Sequence, residues 1–440
     1  MSARNRELMA LLPASLLLTA GFAAIFIQQS EQLSDVSLTY GAVFLGLCVA
    51  GHFVIRFTLP DADPYLFPLV SVLACFGLVV IYRIDETLAR EQAQWFVVGL
   101  VLFAATIVLL RDFRVLERYR YTIALAGLLL LLLPRVPGIG QQVNGAYLGV
   151  KLGPVAFQPA EFGKIAIIIF LAAYLRDTRQ VLVQGSRRFL GVTLPPLKHL
   201  GPLLVVWGAA MFMLVFIRDL GSSLMYFGGF LALLYVATNR LSFVTIGMAM
   251  FALGAWFFAS TVGHVRDRVD IWLDPFNPEW VDREGYQIAQ SVFAQADGGL
   301  FGTGFGASLL RGPGGETLIP APQTDLIYSV IVNEVGLVGG CGLLLVYLLL
   351  VERGFKVAMV SGDSFSKLLA TGLTAVLALQ VFVIIGGVTR VIPLTGVTLP
   401  FVSYGGSSIV ANFVLLALLL LISDRARRPG GTRPAGRNPR

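Results

Sequence analysis

Long apolar runs alternate with short polar segments along almost the whole chain. A membrane-spanning helix needs about 20 mostly apolar residues to cross roughly 30 Å of hydrocarbon, and we identify twelve runs that qualify, some of them short. These runs are residues 9–28, 39–56, 66–82, 93–110, 121–134, 160–176, 199–217, 221–237, 242–260, 324–351, 368–388 and 407–422. The pattern predicts an all-α polytopic membrane protein with about twelve transmembrane helices.

The composition supports this fold class. Hydrophobic residues make up 56% of the 440 residues, charged residues only 13%, and the mean hydropathy is +0.78. A water-soluble core of this length needs far fewer apolar residues. The stretch "MSARNRELMALLPASLLLTAGFAAIF" is read as the first span and not as a signal peptide, because its apolar part is long and lacks a convincing cleavage site.

The distribution of Lys and Arg predicts the orientation in the membrane. When loops are assigned alternately, most of the 33 Lys and Arg fall on the side that holds both termini; examples are Arg111, Arg114, Arg118, Arg120, Arg187, Arg188, Arg353, Lys356 and the tail from Arg425 to Arg440. Both termini are therefore expected in the cytoplasm. Topology accounts for the net charge of +7, so no nucleic-acid partner is implied. Cys48, Cys75 and Cys341 and the three scattered His indicate neither a disulfide framework nor a His or Cys metal site.

Two long loops on the predicted outer face, about 135–160 and 261–323, contain aromatic residues and spaced glycines. This composition is typical of ordered, functional loops. The glycine-rich "GGLFGTGFG" in the second loop is not read as a nucleotide site, because no strand precedes it. The tail at 424–440 has a basic, disordered composition and is expected at the cytoplasmic leaflet.

Charged residues near the outer ends of several spans are candidates for chemistry. Pro159 suits the start of a helix, and Glu161 and Lys164 follow as neighbours on one helical face. They are either dipole and interface residues or a phosphate site facing a water-filled cleft. Arg218 and Asp219 interrupt an apolar run, where a tight outer turn is an adequate explanation.

Asp325 and Glu334 lie in one apolar run. On a continuous helix they fall on opposite faces about 13 Å apart, so they do not form a carboxylate pair. Thr324 or Asp325 is well placed to cap the helix. Glu334 lies deep enough to require a partner, and a structural role is favoured over catalysis.

Five segments in this order and spacing resemble the SEDS family, which includes RodA and FtsW. They are "VNGAYLGVKLGPVAFQPAEFGK", "RDLGSS", "GYQIAQSVFAQADGGLFGTGFG", "PAPQTDLIYSVIVNEVGLVG" and "IPLTGVTLPFVSYGGSS". The resemblance covers residues 65–423 and implies a ten-span core, so residues 1–64 are expected to form two additional N-terminal helices. It implies a peptidoglycan glycosyltransferase that polymerises lipid II at the outer face of the bacterial cytoplasmic membrane, with a class B penicillin-binding protein as partner and lipid II, nascent glycan and membrane lipids as contacts.

The resemblance also implies site residues. Asp325 in "QTD" matches the family's essential aspartate, which makes it the candidate general base. "QPAEFGK" matches at Gln158, Glu161 and Lys164, and "SYGGS" matches at Ser403 and Ser407; these are expected to bind substrate. For the leaving diphosphate we expect Lys164, with Arg218 or Arg390 as further cations, or a divalent cation, Mg²⁺ or Mn²⁺.

The chain departs from the family pattern in three places. Gln323 replaces the usual His, "GAYLG" lacks two usual Arg residues, and "IRDLG" replaces a usual Gln-Pro-Asp-Leu-Gly. These changes affect the expected phosphate contacts more than the reaction. "GGVTRVIPLTGVTLP" is closer to elongation-type than to division-type members, so a role in elongation and cell shape is expected. The alternatives are a division polymerase, a flippase for lipid-linked precursors or a noncatalytic scaffold.

Overall fold

The computed structural model describes residues 2–30, 35–143, 146–152, 155–184, 187–189, 192–194, 208, 216, 219–261, 263–308 and 318–428. Its α-helices are α1 (Ala3–Ser30), α2 (Asp35–Thr58), α3 (Leu66–Ile84), α4 (Glu86–Leu109), α5 (Val115–Arg118), α6 (Arg120–Leu132), α7 (Pro159–Gln184), α8 (Leu220–Thr238), α9 (Leu241–Thr261), α10 (Gly263–Leu273), α11 (Tyr286–Gly298), α12 (Ile327–Val360), α13 (Ser364–Val388) and α14 (Gly406–Arg427). Residues Leu133–Arg135 extend α6 as a 3-10 helix.

Nine helical segments of the described chain are long and apolar enough to cross a membrane. They lie in α1–α4, α8, α9 and α12–α14 and coincide with nine of the twelve predicted runs. The runs at 121–134 and 160–176 form α6 and α7, which are helical but are not among the nine. The run at 199–217 lies almost entirely outside the described residues. The chain is an all-α polytopic membrane protein, and the number twelve stays a prediction.

Helices α13 and α14 form the centre of the bundle. In their apolar windows 83% and 89% of the residues are buried, against 11% in α9. Helix α4 packs along α14, while α7, α8 and α12 pack along α13. These neighbours place the ends of α7, α8, α12, α13 and α14 around one region.

Short strands occupy the connections, which the sequence did not predict to contain strands. The loop at 135–160 forms an antiparallel sheet of β1 (Gly140–Val143), β2 (Ala146–Leu152) and β3 (Val155–Phe157). β4 (Arg187–Phe189) pairs with β5 (Val192–Leu194). The loop at 261–323 contains α10 and α11, so both long loops contain ordered elements.

Helices α1 and α2 pack together and α1 lies on α3, which joins the additional N-terminal pair to the bundle. Two buried groups hold α1 against α2, since Glu7 Oε1 lies 2.8 Å from His52 Nδ1. Arg4 donates to the carbonyl of Ala62 in the connection to α3. The contact is therefore polar as well as apolar.

The glycine-rich loop after α11 inserts against a break in α12. Gly336 has φ +71° and ψ −178° inside the helix. The backbone N–H groups of the next two residues, Leu337 and Val338, donate to the carbonyls of Gly299 and Leu300 at 2.9 and 3.1 Å. The glycines serve this close backbone approach and not a phosphate.

Glu334 anchors the same loop, in agreement with the structural role predicted for it. Its carboxylate accepts from the Gly306 amide at 3.1 Å and from Ser308 Oγ at 2.5 Å. Arg83 of α3 lies 3.4 Å from Glu334 Oε1 and donates to the Ser308 carbonyl at 3.0 Å. A buried carboxylate within an apolar segment is thus paired and hydrogen-bonded, as its burial requires.

The final helix is longer than expected. The predicted end of the core at residue 423 is four residues too early, because α14 continues to Arg427. Asp424 near its end accepts from the Asp61 amide at 2.9 Å and pairs with Arg428, so these residues remain part of the packed bundle. Residues 429–440 of the predicted tail lie outside the described part of the chain.

Candidate functional site

Asp325 lies in a turn two residues before α12, not in the helix itself. The N-cap of α12 is Leu326, and no side chain caps the helix there. The expected capping role for Thr324 or Asp325 is therefore wrong. Thr324 Oγ1 instead donates to Asp325 Oδ1 at 3.0 Å. Thr324 therefore orients the Asp325 carboxylate, which accepts no capping hydrogen bond from the backbone N–H groups of α12.

The segment before Asp325 is bound to the Pro, Gly and Ser-rich segment that precedes α14. Ser403 Oγ donates to the Thr324 carbonyl at 2.6 Å and accepts from the Leu399 amide at 2.9 Å. The Tyr404 amide donates to the Gln323 carbonyl at 2.8 Å. Ser403 thus lies beside Asp325, with its hydroxyl engaged by the backbone on both sides.

Backbone strain marks the same region. Ala321, Arg390 and Phe401 have φ values of +47°, +61° and +65°, a region that non-glycine residues rarely adopt. Such residues persist where the surroundings hold them, and they cluster at functional sites. Ala321 lies four residues before Asp325. Arg390 and Phe401 lie at the two ends of the segment 390–401 between α13 and α14, which contacts the residues around Asp325.

Arg268 of α10 contacts the segment between α13 and α14. Its Nη1 donates to the carbonyls of Leu394 and Thr395 at 3.3 and 3.4 Å. The next residue, Gly396 (φ +73°), lies so near that a Cβ there would be 4.0 Å from Asp325 Oδ2. Arg268 and Asp325 therefore lie on adjacent sides of one small region.

Burial and charge act on Asp325 in opposite directions. Burial raises the pKa of the Asp325 carboxyl, while the Thr324 hydrogen bond and the positive charge of Arg268 lower it. Burial also lowers the pKa of Arg268, which the nearby charges of Asp219 and Asp325 raise. The net result for Asp325 is a carboxyl with a pKa above its ordinary value, a property suited to a base near neutral pH.

Asp219 brings the start of α8 to the site. It caps the helix, since its carboxylate accepts from the Ser222 amide at 3.0 Å and the Ser222 hydroxyl at 2.6 Å. Burial raises the pKa of Asp219, and these bonds from Ser222 lower it. Gly221 packs so closely that a Cβ would lie 2.1 Å from Val397. The adjacent Arg218 lies outside the described residues.

Lys164 lies inside the protein, and the expectation that it faces a water-filled cleft is wrong. Its side chain is 2% exposed, and Nζ donates to Glu161 Oε2 at 2.5 Å, Gln380 Oε1 at 2.7 Å and Asn412 Oδ1 at 3.4 Å. An unpaired buried ammonium is costly, so these three acceptors account for its position. The predicted pairing of Glu161 with Lys164 on one helical face is confirmed, and α7 begins at Pro159 as predicted.

A chain of polar side chains links Lys164 to the segment near Asp325. Gln380 donates through Nε2 to the Thr398 carbonyl at 2.9 Å, and Thr398 Oγ1 donates to Ser408 Oγ at 3.0 Å. Asn412 Nδ2 donates to the same Ser408 hydroxyl at 3.2 Å. Helices α7, α13 and α14 are therefore held in register around the 394–398 segment.

Ser407 and Gln158 are also brought together. The backbone N–H of Gln158 donates to Ser407 Oγ at 2.7 Å. This hydrogen bond connects the start of α7 to the start of α14. The structure thus places Asp325 and Ser403 in one cluster, and Glu161, Lys164, Gln158 and Ser407 in the supporting layer behind it.

Sequence reasoning missed Arg268, Gln380 and Asn412. A signal existed for Gln380 and Asn412, because polar side chains within apolar runs mark internal contacts. Arg268 lies in a charged segment, "VRDRVD", where neighbouring residues of the same type are solvated. Its importance arises from the contact between α10 and residues 394–395, which no local pattern reveals.

The site provides few ligands for a metal. Among the residues described, no three His, Cys, Asp or Glu side chains come together as a protein-built metal site requires. Asp325 is the half-buried carboxylate of the described cluster. Mg²⁺ commonly binds through one or two carboxylates together with substrate phosphates, and this is the arrangement that the residues present would permit.

Comparisons with known proteins agree with this architecture. The model of a family of cell cycle proteins, FtsW, RodA and SpoVE, matches residues 64–428, which leaves α1 and α2 outside it. The peptidoglycan glycosyltransferase RodA of Mycobacterium tuberculosis is 42% identical, over 99% of this chain and 94% of the relative. The stage V sporulation protein E of Bacillus subtilis is 30% identical over 82% of this chain and 93% of its own.

Solved structures show the same fold. A chain from a peptidoglycan synthase complex that coordinates polymerization and crosslinking matches with a TM-score of 0.66 and 28% identity, over 84% of this chain and 99% of that one. The rod shape determining protein RodA of Thermus thermophilus matches with a TM-score of 0.59 and 27% identity, over 84% and 98% of the two chains.

Proposed function

The chain belongs to the FtsW, RodA and SpoVE family of cell cycle proteins, and we propose that it polymerises lipid II into glycan strands for cell-wall elongation. It is a peptidoglycan glycosyltransferase, the activity named for its mycobacterial relatives over nearly their whole length. The observation that carries the proposal is the cluster at Asp325. A half-buried carboxylate oriented by Thr324 lies near the Arg268 guanidinium, beside a strained segment rich in Pro, Gly and Ser.

Asp325 acts as the general base. The 4-hydroxyl oxygen of the acceptor sugar attacks the anomeric carbon of the donor, and the hydroxyl proton passes to the Asp325 carboxylate. The bond from the anomeric carbon to the diphosphate oxygen breaks, and its electron pair leaves with the lipid diphosphate. One displacement converts an α-linked donor into a β-linked product. The base must lie within hydrogen-bond reach of the attacking hydroxyl.

Glu161 and Lys164 position the site and do not touch the substrate. Their pair, with Gln380 and Asn412, joins three helices behind the 394–398 segment. Ser403 fixes the Asp325 turn, and Ser407 fixes the start of α7. A preorganised site does not need to reorganise during the reaction. This preorganisation is the usual source of electrostatic stabilisation in enzymes.

We propose twelve spans with both termini in the cytoplasm of a bacterium, so that Asp325 lies at the outer face of the cytoplasmic membrane. The predominance of Lys and Arg in alternate loops supports this orientation. The lipid tail of the substrate then stays in the bilayer while its sugars reach Asp325. Membrane lipids surround the apolar face of the bundle.

A class B penicillin-binding protein is the proposed partner, and the nascent glycan the shared product. The resemblance of the fold to a chain of a synthase complex that coordinates polymerization and crosslinking supports this pairing.

A divalent cation is likewise proposed, which Asp325 would hold together with the substrate diphosphate. A chelator should then lower polymerisation, and added Mg²⁺ or Mn²⁺ should restore it.

The direct test uses the purified protein with lipid II, with and without the partner. Glycan ladders from the wild-type protein support the polymerase. Lipid translocation in vesicles without ladders under any partner or metal condition would instead identify a flippase. Depletion in cells distinguishes elongation from division: rounded cells support the elongation role, and filaments indicate a division polymerase.

A further inference from the structure

We propose that Arg268 binds the diphosphate of the lipid-linked donor, an inference that rests on the proposed polymerase function. When the bond to the anomeric carbon breaks, one further negative charge develops on a diphosphate that already carries about two, and the site must stabilise this charge. Cations aimed at such charges contribute strongly to catalysis when they are positioned in advance. Such a cation must have N–H donors that are not already used by the protein.

The cations first expected in this role are engaged elsewhere or lie outside the described residues. Lys164 is buried and donates to three protein acceptors. Arg390 donates through Nη2 to the carbonyls of Trp272 and Leu273, at 3.0 and 3.3 Å, and so fixes the end of α10. Arg218 is not described.

Arg268 has donors to spare. Its two hydrogen bonds within the described structure, 3.3 and 3.4 Å long, both use Nη1 and are longer than a strong hydrogen bond. A guanidinium has five N–H donors in a planar fork that matches phosphate oxygens. Asp219 and Asp325 act on its charge, yet neither carboxylate is within 4.0 Å as an ion-pair partner in the described structure. The positive charge is therefore held in place without being neutralised by a direct contact.

The positive charge of Arg268 also reduces the repulsion between Asp325 and the diphosphate. A diphosphate and the ionised Asp325 must occupy the same region during the reaction, and like charges this close together repel each other. A guanidinium between them offsets that repulsion. Because Nη1 is held by Leu394 and Thr395, the remaining donors are oriented before the substrate arrives.

Binding measurements on the full-length protein in detergent test this assignment. The probes are a polyprenyl diphosphate and the polyprenol of equal chain length, which differ only in the charged group. We expect Arg268→Gln to weaken binding of the diphosphate by about 10- to 100-fold, the range for a lost charge-assisted contact, and to leave polyprenol binding unchanged. Arg268→Lys should recover part of the loss, since it restores the charge without the fork.

Arg266→Gln is the matched control, because it removes a charge from the same helix at a side chain that is 70% exposed; it should bind both probes like wild type. Equal losses for both probes in Arg268→Gln, or unchanged diphosphate binding, would overturn the assignment. The two failures are distinguishable: diphosphate selectivity that depends on Arg268, together with no glycan synthesis by the wild-type protein, would reject the polymerase and retain the Arg268 site.

Discussion

Asp325 and Lys164 are both charged residues at the same end of the bundle, but their surroundings separate their roles. Lys164 is surrounded by acceptors from three helices, and its charge is satisfied within the protein. Asp325 has one side-chain donor, Thr324, and lies beside Gly396, where the missing Cβ leaves room. The carboxylate is thus available to a substrate, while the ammonium is structural.

The pH dependence of polymerisation should report the pKa of Asp325. A general base works only when ionised, and burial raises the pKa of this carboxyl. The rate should therefore fall as the pH falls through a value above the ordinary carboxyl range. Arg268→Gln removes a charge that lowers this pKa, so the acidic limb of the profile of kcat should move to higher pH.

Arg268 is the charged side chain that acts on the pKa of Asp325 among the described residues. The control for the shift is therefore a charge removed elsewhere on α10. Arg266→Gln, on the exposed side of α10, should leave the profile unchanged. An acidic limb that stays in place in Arg268→Gln would show that the titrating group is not Asp325.

At the scale of elements, the break in α12 is where the glycine-rich loop after α11 packs against that helix. Gly298, Gly302 and Gly336 allow the loop after α11 to approach α12 closely; a Cβ on Gly336 would lie 2.3 Å from the Leu300 carbonyl oxygen. Glycine at position 336 is therefore required by this close packing.

Gly336→Ala should lower the thermal stability of the detergent-solubilised protein. The combination of φ +71° and ψ −178° is accessible essentially to glycine alone, and forcing another residue into such a region costs about 1 to 3 kcal/mol. The melting temperature checks this. Gly342→Ala in the same helix meets nothing within 4 Å and should keep or raise the melting temperature, because alanine favours helix. Equal melting temperatures for both variants would contradict the account of the break.

What the sequence predicts at this scale depends on the range of the interaction. The start of α7 at Pro159 and the Glu161 to Lys164 pair follow from local rules, and both are observed. The capping role predicted for Asp325 is wrong, because tertiary contacts from Ser403 and Tyr404 hold the turn outside the helix. The strands of the first long loop and the role of Arg268 also depend on long-range packing, which periodicity does not encode.

At the scale of the whole molecule, one end of the bundle gathers the polar groups of five helices. Helices α1 and α2 lie beyond the region that the family model matches, yet α1 packs along α3 and Arg4 donates to the Ala62 carbonyl, so the pair is part of the packed structure. The apolar pattern was sufficient to predict the polytopic class. The number of spans stays a prediction, because α6 has 13 residues and 199–217 lies almost entirely outside the described residues.

Cysteine labelling in intact cells should establish the orientation. In a variant with Cys48, Cys75 and Cys341 replaced by Ala, we expect Arg266→Cys to react with an impermeant maleimide added outside. Glu352→Cys, at the other end of α12, should react only after permeabilisation. Both side chains are well exposed, at 70% and 51%. The reverse pattern would place Asp325 in the cytoplasm and contradict the proposed site of polymerisation.

The most direct test of the central claim is the single-turnover rate of glycan synthesis by Asp325→Asn, which keeps the size of the side chain and removes the base. We predict a loss of about 10²- to 10⁴-fold, the usual contribution of a general base, with lipid II binding unchanged. Asp267→Asn, an exposed carboxylate beside Arg268, should react like wild type. Glycan synthesis by Asp325→Asn within a few-fold of the wild-type rate would contradict the assignment of Asp325 as the base.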